Sequence, residues 1–229
     1  MAQLDSLFAK YDKLFLFDTE TTGLDYPRDE IIEFAAVTLE RVNGQVTVTE
    51  EYDELITLSP GGRVPPEIEK LTGISNEDIA AKGIEKTRLC KDIARMISGN
   101  TLLLAYNAHF DLSFLFYLLL RSGDPTILKG KDKLDLFTTY KDRHSYPHKL
   151  CNAIEVYGLT GKVVNSHRAV DDVLATVAVM QAMEDEKDDL DRYINLFGYH
   201  PQYGISGKPI GSVTYKPQQY DPILPLYAL

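Results

Sequence analysis

The chain has 229 residues, a net charge of −10 and two cysteines, and its composition is ordinary for a globular protein. This acidity argues against a protein that grips duplex nucleic acid through a broad basic surface, because such binding depends on many Lys and Arg side chains. No apolar run approaches the ~18 residues of a membrane-spanning helix, so no membrane partner is expected. The start of the chain lacks a secretory signal, and with so few cysteines a cytoplasmic protein is expected.

The first third of the chain predicts a helix and then an antiparallel meander. Leu4, Leu7, Phe8 and Tyr11 recur at helical spacing. The segment QLDSLF also resembles peptides that dock on sliding clamps, but packing on the domain is the favoured interpretation. Strands are predicted at 14–19, 31–40 and 46–58, with Asn43-Gly44 as the hairpin turn between the last two.

The remainder alternates between helices and a strand. Helices are predicted at 87–98, 112–121, 134–143, 149–157 and 168–183, and a short buried strand at 102–105. Strands that come first and then alternate with helices indicate an α/β domain with a mixed sheet. We assign residues 1–185 to this domain and 186–229 to a C-terminal extension packing on it, with one strand at 212–215. The acidic run 184–191 is expected to be a solvated segment away from any substrate.

The segment LFLFDTETTGL contains the first chemical signal. Asp18 and Glu20 follow an apolar strand and point to the same face of it, because side chains alternate along a strand. Two carboxylates held this close repel each other and favour a shared cation. A divalent ion that also binds substrate phosphate is the first hypothesis, and a strand end with solvated acids is the alternative.

The second acidic site is Asp111, where a short strand turns into a mostly apolar helix. Asn107, His109 and Phe110 crowd the same turn, and functional side chains often lie at such positions. An ordinary helix-capping role for Asp111 is the alternative.

The third site is the segment NSHRAVDD. Asp172 lies in a mostly apolar stripe of the following helix, and Asp171 lies on another small apolar face, so periodicity does not choose between them. His167 stands at the entrance to this helix, and the ordinary pKa of an imidazole suits it to accept a proton near neutral pH.

The segments DTETTGL, NAHFDLSFL and HRAVDD, in this order, resemble the three signature segments of the DnaQ-like 3′-5′ exonucleases of the DEDDh type. The resemblance spans about residues 14–183 and is especially close to the proofreading exonuclease domains and subunits of bacterial DNA polymerase III. It implies a ribonuclease H-like fold with a central five-stranded mixed sheet flanked by helices.

The same resemblance implies the site and its chemistry. The metal-binding acids would be Asp18, Glu20, Asp111 and Asp172, with His167 as general base, and the His-to-Asp spacing selects Asp172 over Asp171. Two divalent ions, Mg²⁺ or Mn²⁺, would act on either side of the phosphorus: one on the attacking water, the other on the departing 3′ oxygen. Nucleoside 5′-monophosphates would leave one at a time from a 3′ end.

Substrate contacts are expected where the family places the terminal nucleotide. These candidates are Thr21, Leu24, Asn107 and Phe110, although Phe110 could equally belong to the core. The basic cluster KDRHSYPHK, residues 141–149, is interpreted as a phosphate-tracking strip or as a solvated helix end. The expected substrate is the 3′ end of single-stranded DNA, with a DNA polymerase as candidate partner. The alternatives are RNA trimming and a non-catalytic binding module.

Overall fold

The protein is described from a computed structural model, which places residues 3–199, 216–219 and 223–228. Five strands form a mixed sheet in the order β3-β2-β1-β4-β5. β2 pairs antiparallel with both β1 and β3, β4 pairs parallel with β1, and β5 pairs parallel with β4. The strand bounds are β1 Lys13–Thr21, β2 Ile31–Val42, β3 Gln45–Leu55, β4 Thr101–Ala105 and β5 Lys133–Asp135.

Helices cover both faces of this sheet, as predicted. Their bounds are α1 Asp5–Phe8, α2 Pro66–Thr72, α3 Asn76–Lys82, α4 Lys86–Met96, α5 Ala108–Ser122, α6 Leu136–Arg143, α7 Leu150–Val156 and α8 Ala169–Glu186. One core cluster packs α6, α7 and α8 on one face, and a second packs α4 and α5 on the other. A separate pair of short strands, β6 Leu196–Tyr199 and β7 Lys216–Gln219, lies outside the main sheet.

The central strand β1 divides its side chains between the two cores. Leu14 and Leu16 enter the core with α8, and Phe15 and Phe17 enter the core with α5. Strand alternation then carries Asp18 and Glu20 to the α8 face. The polar end of β1 is therefore placed by the apolar pattern that precedes it.

Several predictions about single elements need correction. The helix predicted from residue 134 begins two residues later, because residues 133–135 pair with β4 as β5. The acidic run 184–191 is not simply solvated, since Glu184 and Asp189 are buried. Arg143 is not available as part of a phosphate-tracking strip, because its guanidinium pairs with Asp189 and with Glu186 at 3.1 Å.

The start and end of the chain also contribute to the core. Leu4 and Leu7 are buried, which confirms the packing interpretation of QLDSLF. Leu190, Tyr193 and Leu226 join the core cluster that contains α8. The domain boundary at residue 185 stays a prediction, and the strand predicted at 212–215 falls outside the described residues.

Two further sequence expectations concern the thiols and the membrane. Both cysteines are free; Cys90 is buried in the core, as expected for a packing residue, whereas Cys151 is exposed. Among the helices of the described residues, none has the length and apolarity to cross a bilayer.

Candidate active site

Two acids project from the end of β1 onto the face covered by α8. Asp18 and Glu20 are half-buried there, and β2 pairs Asp18 with Ala35 and Glu20 with Glu33. A register irregularity follows between Glu20 and Thr21. The strand end therefore brings two carboxylates to the surface of the sheet directly below the first turn of α8.

The third acid comes from that first turn of α8. Asp172 is only 8% exposed, and its Oδ1 accepts a hydrogen bond from Asn165 Nδ2 at 2.6 Å. Asp171 is half-buried and instead accepts a hydrogen bond from the Ser166 hydroxyl. Helical periodicity left the choice between these two acids open, and the structure places Asp172, not Asp171, beside Glu20 and His167.

His167 lies next to these acids on an exposed turn. Potential ligand atoms of Glu20, His167 and Asp172 all lie within 4.8 Å of one another. The backbone of His167 has a φ of 60°, a left-handed conformation that costs about 1–3 kcal/mol for a residue with a side chain. Backbone strain of this kind is often found at functional sites, where the surrounding structure holds it in place.

Asp111 reaches the site from the opposite face of the sheet. It lies in the first turn of α5 and is 2% exposed. β1 extends beyond its pairing with β4, which ends at Leu16 and Leu104. On this overhang Thr19 donates to Asp111 Oδ1 from its backbone N–H at 3.0 Å and from its hydroxyl at 2.8 Å. Thr19 thus ties the fourth acid to the spacer between the first two.

Two more buried acids, neither of them predicted from the sequence, support the helices that carry the site. Asp135, at the end of β5, accepts hydrogen bonds at 3.0 Å from the backbone N–H groups of Asn107 and Ala108, where α5 begins. Glu33, in β2, binds Arg168 and the backbone N–H of Ala169, where α8 begins. Glu33 interrupts the apolar run of β2, and a charge in such a run requires a partner, which is the signal that could have revealed it.

The electrostatics of the acids reflect this crowding. Burial and then the negative charges of Asp111 and Asp172 raise the pKa of Asp18 well above its ordinary value. Burial, Asp172 and Glu33 raise the pKa of Glu20 to about 8. Burial also raises the pKa of Asp111 to about 7, although the hydrogen bonds from Thr19 oppose it.

The pKa of Asp172 is also raised, but a local hydrogen bond limits the rise. Burial raises its pKa, and the hydrogen bond from Asn165 opposes the rise. All four acids therefore resist ionisation, first because burial disfavours their charged forms, and at Asp18 and Glu20 also because the neighbouring acids repel the charge.

The donor set fits a hard divalent cation. Carboxylate oxygens are the ligands that Mg²⁺ and Mn²⁺ prefer. Among the ion pairs of the described residues, none includes one of the four site acids. Their clustered charge is left for a bound ion to compensate.

The predicted substrate-contacting residues occupy different environments. Leu24, in the loop after β1, is 81% exposed. Thr21 is buried and its hydroxyl donates to the carbonyl of Gly23 at 2.6 Å. Phe110 is half-buried against Phe114, with ring centroids 4.9 Å apart.

Asn107 is the residue just before α5. Its backbone is left-handed, with a φ of 71°, and its side chain is exposed. The structure thus leaves Leu24 and Asn107 open to solvent, Phe110 partly open, and Thr21 in a local structural role.

The chain matches the family model described as Exonuclease over residues 15–180. The chain belongs to this family. Its sequence is 33% identical over 188 residues to the DNA polymerase III subunit epsilon of Treponema pallidum, covering 78% of this chain and 80% of that protein. It is also 31% identical over 165 residues to the 3′-5′ exonuclease DinG of Bacillus subtilis, covering 64% of this chain but only 17% of DinG.

The fold has relatives among solved structures. Escherichia coli Exonuclease I in complex with a dA16 oligonucleotide matches with a TM-score of 0.69 and 21% identity, over 80% of this chain and 42% of that chain. A zinc-bound form of the Exonuclease I–ssDNA complex matches with a TM-score of 0.70. At this identity the likeness supports the ribonuclease H-like fold, and the chain spans less than half the length of Exonuclease I.

These findings confirm the resemblance to the DnaQ-like exonucleases. The protein is a 3′-5′ exonuclease, a phosphodiester hydrolase that acts on nucleic acid, and the family is metal-dependent. The alternative of a non-catalytic binding module is wrong.

Proposed function

We propose that the protein removes nucleoside 5′-monophosphates from the 3′ end of single-stranded DNA, with two divalent ions, Mg²⁺ or Mn²⁺. The observation that carries this proposal is the grouping of Glu20, His167 and Asp172, whose ligand atoms lie within 4.8 Å of one another. Asp18 is close enough to Glu20, Asp111 and Asp172 to feel their charges, and Thr19 ties Asp111 to the same strand end. DNA is the favoured substrate because relatives are named as DNA polymerase III subunits and PolC-type DNA polymerases. The same names make a DNA polymerase the candidate partner.

The four acids act as ligands that position the metal ions, and none of them acts as a nucleophile. Asp18, Glu20 and Asp172 would hold one ion, and Asp18 with Asp111 would hold the other. Bound divalent ions would neutralise the charge of the phosphate, lower the pKa of the attacking water and stabilise the negative charge on the departing 3′ oxygen. Thr19 keeps Asp111 oriented through its two hydrogen bonds, so that this acid stays aligned with the β1 pair.

His167 would accept the proton of the attacking water at a ring nitrogen. Its exposed position allows that proton to pass on to solvent. The water oxygen forms a bond to phosphorus as the bond from phosphorus to the 3′ oxygen breaks. The products are a nucleoside 5′-monophosphate and a strand with a new 3′ hydroxyl.

Leu24, Phe110, Asn107 and Thr21 would surround the terminal nucleotide. Leu24 and Phe110 offer apolar surface on which bases can stack, which is tolerant of sequence. Gly23, which precedes Leu24, lies close to Asp29: a Cβ at Gly23 would lie 2.4 Å from Asp29 Oδ2.

The test is the shortening of a 5′-labelled single-stranded oligonucleotide. With Mg²⁺ or Mn²⁺ the label should pass through a ladder of progressively shorter strands, nucleoside 5′-monophosphates should accumulate, and EDTA should stop the reaction. Asp18→Asn should abolish the shortening, whereas Asp12→Asn, which changes an exposed acid before β1, should not.

Two further arms separate the alternatives. A matched RNA strand should be shortened more slowly than the DNA strand; the reverse order would make the protein an exoribonuclease. Internal cuts in a strand protected at its 3′ end by phosphorothioate linkages would contradict action from the 3′ end.

A further inference from the structure

Glu33 is a fully buried acid beside the site, and the proposed reaction does not use it. It is 0% exposed and lies directly across from Glu20 in the pairing of β1 with β2. Ala35 and Val37, which follow on the same side of β2, belong to the core that contains α8. The carboxylate of Glu33 therefore faces α8 from beneath, next to an acid of the site.

Both oxygens of Glu33 are bound by consecutive residues. Oε1 accepts a hydrogen bond from Arg168 Nε at 2.7 Å and another from a terminal nitrogen of the same guanidinium. Oε2 accepts a hydrogen bond from the backbone N–H of Ala169, also at 2.7 Å. One carboxylate thus fixes the side chain of one residue and the main chain of the next.

The residue immediately before this attachment is His167. Its backbone is left-handed, a conformation that residues other than glycine adopt only at a cost in free energy. On its other side, Ser166 is attached through its hydroxyl to Asp171, and Asn165 is attached to Asp172 at 2.6 Å. His167 is exposed and lies between two attached neighbours, so its orientation depends on their contacts.

We propose that Glu33 and Arg168 are positioning residues: their ion pair holds His167 in the left-handed conformation that places its ring beside Glu20 and Asp172. This inference rests on the proposed role of His167 as proton acceptor. In this proposal the ion pair aligns the proton acceptor and also anchors the start of α8.

Glu33→Gln tests the proposal because it keeps the size of the side chain and removes its charge. We expect kcat to fall about 10- to 100-fold, as for other residues that orient site groups, with the KM for the oligonucleotide unchanged. Arg168→Lys should lower kcat less than Arg168→Gln does, because lysine keeps the charge but loses the two-pronged contact. An unchanged kcat in Glu33→Gln would overturn the proposal.

The matched control is Asp189→Asn. It breaks another arginine–carboxylate pair, with Arg143, in which both side chains are less than a tenth exposed. If a buried ion pair matters only for stability, both variants should lose thermal stability and neither should lose turnover. A fall in kcat confined to Glu33→Gln supports positioning, and an equal fall in both variants contradicts it.

A double-mutant cycle asks whether Glu33 acts through His167. In a His167→Ala background the substitution Glu33→Gln should have no further effect on kcat, because the group that it positions is gone. An unchanged 10- to 100-fold fall in that background would show that Glu33 acts by another route.

Nuclear magnetic resonance of labelled histidine gives a measurement that needs neither metal nor activity. The chain has five histidines, and the His167→Ala variant assigns the signal of His167. Glu33→Gln should move or broaden this ring signal and leave the other four in place. An unmoved His167 signal would overturn the positioning role even if the wild-type protein failed to cleave DNA, so the two proposals fail separately. If Glu33→Gln does not fold, Arg168→Lys serves for the same measurement.

Discussion

The acids of the site should destabilise the protein in the absence of metal, and Glu20→Gln tests this directly. In the unfolded chain a glutamate releases its proton near pH 4.5, whereas in the folded protein Glu20 keeps it to about pH 8. The wild-type protein should therefore lose stability as the pH rises between these values. Below pH 4.5 Glu20 is protonated in both the folded and the unfolded protein, so it does not lower the stability. Above pH 8 it is ionised in both, and the loss of stability is complete.

The size of the effect follows from the same two values. At 1.36 kcal/mol per pH unit, the difference between 4.5 and about 8 sets an upper limit of ~5 kcal/mol. Glu20 is only half-buried and shares its repulsion with three other acids, so solvent screening reduces this figure. We expect Glu20→Gln to gain ~1–3 kcal/mol above pH 8, a rise in Tm of about 3–10 °C for a chain of this size.

The assay is thermal unfolding of EDTA-treated protein above pH 8 and below pH 4.5. Glu20→Gln should be more stable than wild type only at the higher pH, and Mg²⁺ should stabilise wild type more than the variant. A gain of equal size at both pH values, or no gain above pH 8, would refute the reasoning.

Glu30→Gln is the matched control, for which we expect a change in stability of the opposite sign. Burial opposes ionisation of Glu30, but hydrogen bonds from Lys86 and Ser59 outweigh it and hold the pKa of Glu30 below its ordinary value. Its contribution is therefore present above the unfolded pKa and is lost as the pH falls through the folded value. Glu30→Gln should lower the Tm at neutral pH, and the deficit should shrink in acid.

Three more outcomes are expected. His167→Ala should lower kcat by about 10²- to 10⁴-fold with Mn²⁺ affinity, measured by calorimetry, nearly unchanged; an equal loss of both would exclude the base role. Lys133 is fully buried, its Nζ has no hydrogen-bond partner among the described residues, and burial lowers its pKa to about 8. Lys133→Met should therefore raise the Tm at pH 7, with an advantage that shrinks between pH 8 and 10.5 as the unfolded lysine also loses its proton; a loss of Tm would contradict this. Leu24→Ser should lower kcat/KM on single-stranded DNA without changing the Tm, and unaltered kinetics would remove Leu24 from the substrate contacts.

Local patterns in the sequence were sufficient to place the acids of β1. The apolar run before Asp18 fixes which face the strand end presents, and alternation then determines where Glu20 points. Helical periodicity could not choose between Asp171 and Asp172, because both lie on small apolar faces. The choice came from the family spacing and agrees with the burial of Asp172.

Long-range contacts explain what sequence reasoning missed. Thr19 binds an acid 92 residues away, and Arg168 binds Glu33 across 135 residues, so no local pattern reports either contact. The prediction of a phosphate-tracking strip at 141–149 is wrong for Arg143 for the same reason, because its acidic partners lie 43 and 46 residues later in the chain. β5 has only three residues, too few to show the alternation of a strand, so the sequence pattern predicts a helix from residue 134 instead.

The most direct test of the central claim is a crystal of the protein with Mn²⁺ and a nucleoside 5′-monophosphate, measured for anomalous scattering. Two manganese peaks should appear at the end of β1, one in contact with Asp18, Glu20 and Asp172 and the other between Asp18 and Asp111, with the nucleotide phosphate beside them. Manganese bound elsewhere, or carboxylates at this strand end that share no ion, would contradict the account.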